Sequence, residues 1–154
     1  MRRIYVPANV AMLGSLAETG ELKPTEPVHM VTEALRRLDP KAADDDLEYT
    51  AFADAALASL ALLAGQVPRR AVVSCDVPER LLSEHAEGTA AGFSGSVKLA
   101  KVAAVHVDDA DAAETVAAAL AADDPDFDEV ESHVLDWYDP SELRDLLENL
   151  PGVG

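Results

Sequence analysis

The feature that most constrains this chain is Ala71-Val-Val-Ser-Cys-Asp-Val77, a nearly continuous apolar run near its middle. A short run of that kind, rich in Val and bounded by turn residues, reads as a β-strand buried on both faces. Such a strand needs cover above and below, and the flanking sequence alternates strand-like and helix-like segments that can supply it. Arg3 to Val6 predicts a strand ended by Pro7. Asn9 can cap a helix from Val10 to about Thr19, with Gly20 as its stop. Pro27 opens a strand over Val28 to Thr32, and Glu33 to Leu38 suits a short helix closed by Asp39-Pro40.

Asp46 to Ala64 gives the clearest helix. Tyr49, Phe52, Ala53, Ala56, Leu60 and Leu63 recur at helical spacing and predict one buried stripe. Asp44, Asp45 and Asp46 suit the positive end of its dipole, and Asp45 with Glu48 has the spacing of a capping box. Pro78 to Ser96 carries no periodic signal and reads as irregular. Val97 to Leu99 and Val102 to Val107 read as two strands or one bent strand, and Asp109 to Ala122 as an Ala-rich helix before an acidic loop at Asp123 to Asp128. His133 to Tyr138 alternates as a strand should, with His133, Leu135 and Trp137 on one face. Asp139-Pro140-Ser141-Glu142 is a helix start, followed by the stripe Leu143, Leu146, Leu147, Leu150 and the stop Pro151-Gly152. The alternation predicts an α/β or α+β fold: one domain over residues 1–154, with helices on a mixed, mainly parallel sheet of five or six strands.

Composition narrows the partners. From Val102 to Leu143 there are thirteen Asp and Glu and no Lys or Arg, within a net charge of -17. A surface this negative repels phosphate backbones and anionic lipid, so neither nucleic acid nor a membrane is an expected partner. Arg2-Arg3 before a partly apolar stretch has a leader-like look, but Pro7, Asn9, Gly14 and Ser15 break it, and a strand followed by a helix fits better. The apolar run around Ala55 to Gly65 is far short of the roughly 20 residues of a membrane span. Cys75 is the single cysteine, which removes an intramolecular disulfide and suits a reducing cytoplasm.

Chemistry is thinly signalled. His106 and Asp108 lie two apart at the end of a predicted strand, and Asp76 ends another. In a parallel sheet those ends would be neighbours, and the three side chains would converge on a divalent ion such as magnesium or manganese. Each also has a structural explanation: Asp108 or Asp109 caps the next helix, and Asp111 sits in its first turn. Cys75 inside a buried strand lacks the access a nucleophile needs. His29, His85 and His133 have no zinc spacing. The loop Gly88 to Ser96 lacks both the phosphate-loop and the nucleophile-elbow patterns. Trp137-Tyr138 offers one aromatic to the core and leaves the other available to a partner.

Four segments, Arg3-Ile-Tyr-Val-Pro7, Leu47-Glu-Tyr49, Val105-His-Val-Asp-Asp109 and His133-Val-Leu-Asp-Trp-Tyr138, resemble a family of small, acidic, uncharacterised actinobacterial proteins that carries a domain-of-unknown-function label. The resemblance spans the chain and implies a cytoplasmic protein from a high-GC bacterium. It brings no catalytic or binding residue with it.

Two functional expectations follow. The leading one is a non-catalytic cytoplasmic module that needs no cofactor and binds another protein through an acidic face at Asp123 to Glu131, beside an exposed apolar patch. The alternative is a divalent-metal-dependent enzyme acting on a small phosphorylated substrate, with magnesium or manganese held by Asp76, His106 and Asp108.

Overall fold

The computed structural model describes residues 1–150. Strand β1 (Arg2–Ala8) leads into helix α1 (Val10–Thr19). Asn9 caps that helix by accepting from the Met12 N–H, and Gly20, at φ 76°, ends it in the left-handed conformation. Two short strands follow, β2 (Glu21–Leu22) and β3 (Val28–His29), then α2 (Glu33–Leu38) and α3 (Asp44–Ser59). Next come β4 (Ala71–Val77), β5 (Leu82–Glu84), β6 (Ala90–Phe93), β7 (Val97–Lys98) and β8 (Val102–Val107). The chain closes with α4 (Ala110–Ala121), α5 (Asp128–Glu131), β9 (Asp136–Tyr138) and α6 (Leu143–Asn149).

The sheet corrects the expected topology. Seven strands join in the order β5-β6-β3-β1-β4-β8-β9, every neighbouring pair antiparallel, and β2 with β7 forms a separate two-stranded sheet. A mainly parallel sheet of five or six strands is not what forms. Strand–helix alternation does join parallel strands here, but not adjacent ones: α2 and α3 carry the chain from β3 to β4, and β1 lies between them. Between β8 and β9 the chain passes through α4 and α5, and those neighbours are antiparallel too.

Several boundaries shift with that topology. β1 runs on through Pro7, because its full-length partner is β4 and β3 joins it at Tyr5 alone. β3 stops at His29, since Thr32 is used to cap α2 through the Leu35 N–H. The stretch from Pro78 to Ser96 is the β5–β6 hairpin, whose apolar positions are too few to show a period. β9 begins only at Asp136. The capping box at Asp139 and Glu142 forms as expected, ahead of α6. The helix stop at Pro151-Gly152 lies outside the described residues. No helix among the described residues is long and apolar enough to cross a membrane.

The two faces of the sheet differ in chemistry. Ile4, Val6, Val73, Cys75, Val105 and Val107 point to one side and pack with Leu13, Leu16, Leu143 and Leu146 of α1 and α6, an aliphatic core. On the other side Tyr5, Val72 and Leu135 meet Ala51, Ala55 and Ala56 of α3. Register puts His29 and Ser74 beside Tyr5, and His106 beside Val72, on this same face. Ser59, at the end of α3, ties the layers together. Its hydroxyl donates to the Ala8 carbonyl at 2.7 Å and accepts from the Ala71 N–H at 3.1 Å.

Helix α3 and the residues after it follow the expected stripe only in part: Ala56, Leu60 and Leu63 are buried and Phe52 is half-buried, but Tyr49 and Ala53 are exposed. Its buried residues are Leu47, Ala51, Ala55, Ala56 and Ser59, while Tyr49 is 62% exposed and Leu57 44%. A polar, bulky sheet face leaves little depth beneath the middle of the helix, so Ala51, Ala55 and Ala56 go in there, Phe52 is half-buried against Tyr5, and Tyr49 and Leu57 point out. The helix starts at Asp44 with Ala43 as its N-cap and no side-chain cap, so the Asp45–Glu48 box is not formed.

Candidate functional site

The outward-turned residues of α3 make one wall of an open cleft of about 400 Å³. Tyr49 and Phe52 come from α3, Tyr5 from β1, Ser74 from β4, His106 from β8 and Trp137 from β9. Phe52 is the centre of the cluster. Its ring lies 6.1 Å from Tyr5 and 4.7 Å from His106, both edge-on, and 6.4 Å from Tyr49. Trp137 is opposite His106 in the β8–β9 register and is 60% exposed. The chain has only seven Phe, Tyr and Trp, and four of them converge here. A smaller recess adjoins the cleft between α3 and the segment from Val130 to Leu135, where Val134 is 67% exposed.

The floor of the cleft is polar. His106 Nε2 lies 3.0 Å from the Ser74 hydroxyl. Burial pushes the His106 pKa down to about 4, so the imidazole is neutral at physiological pH. Arg3 lies at one end and is committed elsewhere: its Nε and Nη2 donate to the two oxygens of Asp76 at 2.8 and 3.2 Å. That hydrogen bond is the main reason its pKa is raised. Asp45 and Glu48 also line the cleft, and neither makes an ion pair among the described residues.

A second network lies under the same helix. The Thr89 hydroxyl donates to Asp54 of α3 at 2.7 Å, so its oxygen is left to accept from His29 Nδ1 at 2.9 Å. His29 Nε2 is then a buried acceptor without a partner among the described residues. Burial lowers the pKa of this imidazole, against the opposing pull of Asp54.

The three residues expected to share a metal ion are not brought together. β4 and β8 are antiparallel, so Asp76 lies beside the start of β8 while Asp108 follows its end. Six strand residues at roughly 3.3 Å each separate those positions by about 20 Å. Asp108 is fully buried and its oxygens are occupied: Oδ2 accepts from the Arg70 backbone N–H and Nε, and Oδ1 from Nη2, at 2.8 to 2.9 Å. Arg70 also donates to the His133 carbonyl, fixing the approach to β9. Asp109 caps α4 through the Ala112 N–H, with Asp111 in the first turn. Among the described residues no group of three or more His, Cys, Asp or Glu is placed to hold a metal ion. Cys75 is buried, and burial pushes its thiol up to about 12, far from a thiolate.

Of the cleft residues, sequence pattern singles out His106 and Trp137, but for different reasons. It places Tyr49 and Phe52 in a buried stripe, and gives Tyr5, Ser74 and Glu48 no functional signal. One clue is present. Leu47, Ala51, Ala55 and Ser59 also recur every four residues, a competing stripe of mostly small residues.

A family model described as a family of unknown function (DUF6912) matches residues 2–147. No curated protein and no solved structure matches the chain.

Proposed function

We propose, for a chain that belongs to this family of unknown function, that it is a protein-binding module whose docking site is the aromatic cleft between α3 and β9. The observation that carries this reading is the convergence of Tyr49, Phe52 and Trp137 on one open cleft over buried Tyr5, with Tyr49 and Trp137 largely solvated. Large aromatic side chains concentrate the binding energy of protein interfaces, and an open cluster of them beside exposed Val134 and Leu57 is suited to bury a partner's apolar side chains. The acidic segment from Asp123 to Glu131 adjoins the recess through Val130 and Glu131 and would steer a basic partner toward it. The occupant is therefore a segment of another protein that mixes apolar with basic side chains.

Overlaying the protein on an array of short peptides of varied apolar, basic and acidic content tests this directly. The wild type is expected to retain a subset rich in apolar and basic residues, while Trp137→Ala and Tyr49→Ala lose it. An unchanged pattern with both variants, or no retained peptide at all, removes the cleft as a docking site.

A further inference from the structure

We infer that the cleft anchors its partner through an arginine side chain, held between the aromatic wall and the Glu48 carboxylate. The inference rests on the docking reading above and specifies its chemistry. Three charged residues line this cleft, Arg3, Asp45 and Glu48. Arg3 is paired through its two hydrogen bonds to Asp76, and neither Asp45 nor Glu48 makes an ion pair among the described residues. Glu48 lies close enough to Tyr5 and Arg3 to raise both their pKa values. His106 on the floor is neutral and adds no opposing charge.

A cleft with a negative rim and electron-rich ring faces is complementary to a cation. Trp137 is the strongest cation–π partner among the side chains, and most of it is open to an incoming group. A guanidinium fits better than an ammonium, because it is planar and weakly hydrated. It can stack on a ring while offering paired N–H donors to a carboxylate. An ammonium keeps its hydration and reaches Glu48 only as a point charge. The anchor's methylene stem would lie along Phe52 and Tyr49, which accounts for apolar walls around a charged rim.

The peptides retained in the array supply the probe. Each is resynthesised with its arginines replaced one at a time by citrulline, which is isosteric and uncharged, and by lysine. Binding is followed by the fluorescence of Trp137, the single tryptophan of the chain, at about 0.15 M salt where diffuse attraction is screened. One arginine is expected to matter: its citrulline and lysine forms bind at least about tenfold more weakly. Glu48→Gln should reduce that difference to about twofold, whereas Asp123→Asn, outside the cleft, leaves it unchanged. Retained peptides that lack arginine, or bind equally well with citrulline, overturn the arginine anchor while the docking site stands. Equal binding of the lysine form overturns the guanidinium assignment. A preference that Glu48→Gln leaves intact overturns the role of that carboxylate. An array that retains nothing removes the docking site and this inference together.

Discussion

His106 shows how one side chain couples the cleft to pH. Its pKa is pushed to about 4 by burial, against an ordinary 6.5 in the unfolded chain. Above pH 6.5 both states are neutral and the native state keeps its full stability. Between 6.5 and 4 the unfolded chain takes up a proton that the native imidazole refuses, so stability falls as pH falls. The loss from this residue levels off below pH 4 at about 3 kcal/mol. His29 shifts in the same direction, held by Thr89 and with an orphaned Nε2. The groups facing His106 are the Phe52 ring and the Ser74 hydroxyl, with Arg3, Asp45 and Glu48 elsewhere around the cleft. Denaturant melts of the wild type and of His106→Phe across that window check the sign. The wild type should lose more stability on acidification than the variant, and parallel curves would falsify the assignment.

At the scale of the element, α3 is the unusual piece. A helix over a sheet ordinarily turns its largest apolar residues inward. Here Ala51 and Ala55 are fully buried, and Tyr49 and Leu57 stand out in solvent. The cause is the sheet face beneath Ala51 and Ala55, where Tyr5, His29, Ser74 and His106 already fill the space a larger side chain would need; Leu47 is buried at the start of the helix and Phe52 is half-buried against Tyr5 and His106. Ala55→Leu should therefore cost about 1–3 kcal/mol through overpacking. Tyr49→Ala should change stability by less than about 0.5 kcal/mol, since it removes an exposed ring. Chemical denaturation of the two variants separates packing from docking. A Tyr49 variant that unfolds as readily as the Ala55 one would return Tyr49 to the core and remove it from the binding surface.

Across the whole molecule the charge is lopsided: 29 Asp and Glu stand against 12 Lys and Arg. Most of the ion pairs among the described residues lie at the surface, where each contributes about 0–1 kcal/mol, while Arg70–Asp108 is buried and structural. Repulsion among the remaining carboxylates opposes the compact state and is screened by salt. Raising ionic strength from about 0.01 to about 0.5 M should shift the thermal midpoint upward by a few degrees. A midpoint that falls with salt would mean that local pairs outweigh the repulsion.

Sequence by itself determined much of the local structure. The Asn9 cap and Gly20 stop, the box at Asp139 and Glu142, and the buried strand from Ala71 to Val77 all stand where pattern places them, and of the two candidate caps Asp108 and Asp109 it is Asp109 that caps α4. Each depends on groups a few residues apart, so spacing alone carries the information. Tertiary structure decided the rest. Strand direction depends on which strands become neighbours: β1 lies between β3 and β4 and is antiparallel to both, and β8 runs antiparallel to β4 on the other side. The β4–β8 pairing sent Asp76 and Asp108 to opposite ends of the sheet. The same limit hid the cleft. Tyr5, Tyr49, Phe52, His106 and Trp137 lie on four different elements, and which stripe of α3 faces inward depends on the depth of the sheet face it covers. Local spacing carries no record of that depth.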